Sequence, residues 1–165
     1  MPITRTTMID DDGTGTTGTI LNNAWLQTIY GQIDALAVPA VNVPYSAANY
    51  TAAGATWVPS GAAFQATLRY QQLREHRLVC LQFDLGGNAA ISAATSSLFL
   101  AIPGMPPALA TAHSSMAYWI EPGIGMGLVS ITGASLAFNR DIAGTSWPAQ
   151  ATVIHYMRGQ IFYTY

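Results

Sequence analysis

From Asn49 to Tyr165 no stretch repeats its apolar residues at helical spacing. That excludes parallel βαβ architectures, which need a crossover helix between successive strands. What remains is antiparallel β structure. Residues 64–74 alternate, with Phe64, Ala66, Leu68 and Tyr70 on one face and Gln65, Thr67, Arg69 and Gln71 on the other. REHR at 74–77 is a polar turn, and LVCLQFDL at 78–85 returns as the hairpin partner. Gly86, Gly87 and Asn88 predict another turn. Further strands are expected over 96–102, 116–120, 126–131 and 136–139, with one or two more in 152–165. Residues 141–150, DIAGTSWPAQ, form a long loop. Seven or eight short strands fit an antiparallel sandwich, a jelly roll or a small barrel.

The N-terminal part is different. DDDGTGTTGTILNNAWLQTIYGQIDAL opens on Asp10, Asp11 and Asp12, passes through Gly and Thr, and ends in a helix expected over 20–36 with Thr19 as its N-cap. Leu26, Ile29, Ile33 and Leu36 follow one another at spacings of 3, 4 and 3. This is a narrow seam of the kind that packs on other helices; one amphipathic helix on its own domain is the alternative. Pro39 and Pro44 end the helix. The organisation expected is therefore a docking segment at 1–38, a linker at 39–49 and a β domain at 50–165.

Composition narrows the function. Charged residues make up 8% of the chain, against roughly 25% in ordinary soluble domains. Lys is absent, and the net charge is −2. Nucleic-acid binding needs clustered Lys and Arg, so it is not expected. A surface this poor in charge suits a subunit of a larger assembly. No apolar run approaches the roughly 20 residues that span a bilayer, and the N-terminus lacks the apolar core of a signal peptide. Cys80, in LVCLQF, is expected as a buried small hydrophobe rather than a reactive thiol.

Catalytic patterns are sparse. His76, His113 and His155 stand apart, without metal-ligand spacing. The adjacent acids Asp10 to Asp12 do not alternate as an EF-hand loop requires, and Leu21 stands where its Glu belongs. GIGMG at 123–127 is followed by no helix, so it is not a dinucleotide loop; its glycines suit places where another backbone approaches closely. The β region holds four acids, Glu75, Asp84, Glu121 and Asp141, mostly in turns. Neither a cofactor, a metal nor an enzymatic activity is expected. The aromatics say more. Trp57, Trp119 and Trp147 are candidates for recognition, because an indole stacks on a sugar ring or anchors an interface. Trp147, in the loop GTSWPAQ, is the foremost of these; Trp119, in AYWIEP, also fits the core.

The segment from Asp10 to Leu36 resembles one at the start of tailed-bacteriophage and prophage structural proteins. In those, an acidic Gly/Thr stretch leads into an N-N-A-W-x-Q helix ending in Q-I-D. ATLRYQQLREHRLVCLQF, SLFLAIPGMP and RGQIFYTY are similar to strands of the β-sandwich that often follows there. The resemblance implies a mainly β fold, an antiparallel jelly-roll-like β-sandwich preceded by one N-terminal α-helix. It also implies a homotrimeric virion component of tail-fibre, head-fibre or capsid-decoration type. Its partners would be itself, other capsid, tail or baseplate proteins and a host surface glycan, with no nucleic acid and no membrane. Asp10, Asp11, Asp12 and Trp25 would then help to dock it. A cellular carbohydrate-binding module and a small depolymerase are the alternatives.

Overall fold

The computed structural model describes residues 23–36, 38–120 and 123–165. The chain divides into two units, Met1–Val38 and Pro39–Tyr165. In the first, α1 runs over Asn23–Leu36. The first three residues of the expected helix and its cap Thr19 lie outside the described residues.

The second unit is mainly β and antiparallel, a sandwich-like fold built from a single curled sheet. Its strands are β1 (Val41–Asn42), β2 (Tyr50–Ala52), β3 (Trp57–Pro59), β4 (Gln65–Leu73) and β5 (Leu78–Ile91). They continue with β6 (Ser97–Ala101), β7 (Ala108–Ile120), β8 (Gly123–Gly133), β9 (Ser135–Asn139) and β10 (Gln150–Thr164). Hydrogen bonding orders them β1-β4-β5-β10-β7-β8-β9-β6-β2, with β3 also pairing β5. The last strand thus lies between β5 and β7, its residues matched to β5 from Gln150↔Ile91 to Thr164↔Leu78.

Alternation explains which face is buried. Val79, Leu81, Phe83 and Leu85 of β5 point inward, as do His155, Met157, Ile161 and Tyr163 of β10. Phe83 and Phe138 stack edge-on with centroids 5.3 Å apart, although four steps of the sheet separate β5 from β9. Only a sheet curled onto itself brings those rings together. Trp57 joins the same cluster, 5.9 Å from Phe138 and 5.0 Å from Tyr50. Edge-on aromatic pairs each add about 1 kcal/mol beyond the area they bury. The deep tyrosines keep their hydroxyls bonded: Tyr50 donates to Gln65 Oε1 at 2.8 Å, Tyr70 to the Gly104 carbonyl at 3.0 Å and Tyr163 to that of Pro106 at 2.7 Å.

Several expectations are corrected. Gly86, Gly87 and Asn88 make no turn but lie inside β5. A Cβ on Gly86 would overlap the ring of Tyr156, its partner on β10, so this glycine makes room for a neighbour. Ala66 does not join the inward face of β4. It is the extra residue of a bulge, since Gln65 pairs with Leu85 and Thr67 with Asp84. The polar turn 74–77 is a 3-10 turn ending on Arg77 in the left-handed region, φ 47. Residues 108–115 extend β7 well before the expected start, so His113 lies in a strand. Cys80 is half-buried on the outer face, where burial raises its thiol pKa.

The expected linker 39–49 contains part of the β unit. Val41 pairs with Tyr70, the Val43 amide donates to the Leu68 carbonyl at 2.8 Å, and Gln65 Nε2 donates to the Val43 carbonyl at 2.6 Å. Val43 is itself buried. A chain beginning at Pro39 should therefore melt cooperatively with a β-type circular dichroism spectrum. A chain beginning at Ala47 should melt at lower temperature, because it loses β1 and the buried Val43, a side chain worth about 1.5–3 kcal/mol. Equal melting temperatures would show that β1 contributes nothing.

Candidate functional site

Two aligned rungs cross the outer face of the sheet. Gly86, Tyr156, Trp119 and Ile124 stand side by side on β5, β10, β7 and β8. Two residues further along, Asp84, Arg158, Ala117 and Met126 form the next rung. Side chains on one face of a strand recur every second residue, so the outward setting of Arg158 carries Tyr156 outward with it. The ladder then fixes the phase of β7 and puts Trp119 on the same face.

This face is apolar and open at one end. Ile124 is 86% exposed and Met126 64%. The rings of half-buried Trp119 and exposed Tyr156 lie 5.6 Å apart and 32° from parallel, an aromatic pair in mutual contact on this face. Arg158 caps it. Its guanidinium carbon is 6.0 Å from the Tyr156 ring centre, and its Nε donates to Asp84 Oδ1 at 2.8 Å. Ala117 leaves a depression of about 330 Å³ between Trp119 and Arg158. Flat rings beside a hydrogen-bonding charge pair can stack on a ring-shaped ligand and orient its polar groups.

The other two tryptophans proposed for recognition belong to the core. Trp147 is 0% exposed: its Nε1 donates to the Phe138 carbonyl at 2.9 Å and its ring meets Tyr118 edge-on at 5.1 Å. Its backbone exchanges hydrogen bonds with Thr95 at 2.7 and 3.0 Å. The 141–150 loop is thus pinned inward by the residue expected to project from it. Trp57 is equally buried. The loop is further ordered by Asp141, whose Oδ1 accepts from the Thr145 amide at 2.9 Å, and the Thr145 contacts hold this carboxyl below the usual carboxylate range.

Of the expected helical seam, Ile29 is half-buried and Ile33 is 38% exposed; the side chains of Leu26, Leu36 and Trp25 lie outside the described residues. Asp10, Asp11 and Asp12 lie outside them entirely. Among the described residues no group of three His, Cys, Asp or Glu could hold a metal ion. Gly125 and Gly127 of GIGMG serve packing. A Cβ at Gly125 would overlap Tyr118, and one at Gly127 would come 2.6 Å from the Asn139 carbonyl oxygen.

His155 is buried on β10, with Nε2 3.1 Å from Gln150 Oε1. Burial pushes its pKa down from 6.5 to about 4. Between those values the unfolded chain takes up a proton that the folded chain refuses. The stability from keeping it neutral is complete above pH 6.5 and is lost as pH falls toward 4. Thermal melts should drop between pH 7 and pH 4.5, and His155→Gln should flatten that slope. An unchanged slope would remove His155 as its cause. Trp147→Ala should cost about 3–5 kcal/mol in denaturant unfolding, through the cavity and the Phe138 carbonyl left without its donor. A loss under 1 kcal/mol would contradict its place in the core.

Compared with known proteins, this chain matches no family model, no curated protein and no solved structure.

Proposed function

We propose that this chain is a non-enzymatic structural subunit of a bacteriophage virion. It is a trimeric appendage or surface protein that attaches through residues 1–38 and displays its β unit for host or glycan recognition. The observation that carries the recognition part is the open aromatic rung, Tyr156, Trp119 and Ile124, on a domain otherwise sparing of charge. Contiguous exposed apolar surface of this kind marks a binding site. The virion part rests on the resemblance of residues 10–36 and on a composition suited to close packing. The non-enzymatic reading draws support from the carboxylates: Asp84 is engaged by Arg158 and Asp141 by its own loop. The exposure of Ile124 and Met126 also favours a second reading, in which this face lies against a capsid as a decoration protein.

Light scattering on the full chain at micromolar concentration should give three times the chain mass, and the protein should co-purify with particles. A monomer absent from particles would overturn the proposal. Trimers that form only on particles would keep the virion role and remove the self-assembly.

A further inference from the structure

The aromatic rung is one end of a longer path. The depression over Ala117 shares Arg158 with a second hollow of about 300 Å³ above Phe83 and Gly159. That hollow shares Gln82 with a third, of about 220 Å³, reaching Arg69. The three descend diagonally across β8, β7, β10, β5 and β4, roughly 20 Å on ordinary strand spacings. Aromatic rings stand at the upper end. Below them come the Arg158–Asp84 pair, then Gln160 beside Gln82, then Arg69. Arg69 donates from Nε and Nη2 to Gln82 Oε1 at 2.9 and 2.8 Å, so a neutral amide holds its charge in place.

We infer that this groove binds an extended oligosaccharide, neutral or acidic, with a sugar ring stacked on Trp119 and Tyr156 and its hydroxyls bonded along Arg158, Asp84, Gln82 and Gln160. The inference rests on the recognition reading and gives it a place and a ligand class. A peptide adding itself as a strand is disfavoured, because β10 and β5 already have partners on both sides. A protein surface would have to desolvate the Arg158–Asp84 pair in mid-groove, whereas a sugar's hydroxyls replace the water it holds. Side chains that both donate and accept match a polyol, whose hydroxyls do the same. Among the described residues that line it, two guanidiniums stand against one carboxylate, so the groove disfavours a polycation.

The test titrates the full chain with cellohexaose, a galacturonate hexamer, a chitosan hexamer and an array of bacterial surface oligosaccharides, read by tryptophan fluorescence and calorimetry. At least one neutral or acidic probe should bind. Trp119→Ala and Tyr156→Ala should each weaken binding about ten-fold or more, and Gln82→Ala by less, with melting temperatures nearly unchanged. Trp147→Phe, away from the groove, should leave affinity intact. Absence of binding to every probe at millimolar concentration, binding of the chitosan hexamer alone, or binding indifferent to Trp119→Ala would overturn the inference. So would a fall in solution mass on Trp119→Ala without any sugar binding, which would make this face an interface between copies. A chain that enters particles but binds no probe removes the groove and keeps the virion role; one that binds sugar but never enters particles does the reverse.

Discussion

The insertion of β10 between β5 and β7 governs the β unit. It supplies hydrogen bonds to both neighbours and joins the hairpin β4-β5 to the meander β7-β8-β9. Without it the two halves of the sheet share no ladder along this path. Its inward residues Met157, Ile161 and Tyr163 fill the core, and its outward residues Tyr156 and Arg158 build the exposed site. One strand therefore carries both the scaffold and the site on opposite faces. Its ladders join residues far apart in the chain, Arg158 to Asp84 on one side and to Ala117 on the other. Such non-local pairing is slow to form, since loop-closure entropy is spent before the contacts are gained.

With so few charges, the fold satisfies most of its buried polar groups in other ways, although among the described residues the buried Trp57 Nε1 and His155 Nδ1 have no hydrogen-bond partner. Buried tyrosines send their hydroxyls to carbonyls, and Trp147 sends its indole N–H to the Phe138 carbonyl. Thr95, itself buried, bonds the carbonyls of Ala53 and Ser97 through its hydroxyl. These are neutral hydrogen bonds, and salt screens them little. The exposed Arg158–Asp84 pair adds little to stability in such a position. Its contribution lies in holding a guanidinium still beside an aromatic surface.

The class of fold was legible because period-two alternation is strong in 64–74, 78–85 and 155–163, where apolar residues occupy one phase with few exceptions. Strand length was less so. ALATAHSS at 108–115 has only Thr111 of the β-branched and aromatic residues that mark a strand, yet it pairs with β8 across the sheet. Gly86 and Gly87 looked like a turn because a glycine that admits a neighbouring ring has the same signature as one that bends the chain. The site was misread for a related reason. Trp147 sits in a loop, and loops lie at the surface as a rule, but here a backbone bridge to Thr95 pulls the residue inward. Trp119 stands next to Tyr118, so two adjacent aromatics obscure which phase of β7 faces out. The register Arg158↔Ala117, with Met116 buried in the opposite phase, decides it, and register between distant strands is not written in either strand alone.

The sheet order ends on β1 at one side and β2 at the other, strands of two and three residues. An open sheet border is where one molecule can recruit the next by continuing its ladder, and borders this short offer almost nothing to continue. Beside β1, β3 covers a further stretch of β5, and a bridge between Ala52 and Ala55 ties β2 to the turn that leads into β3. Border strands this short are one way a sheet avoids joining edge to edge, and this domain has that device at β1 and β2 where its few charges would do little to repel a second copy.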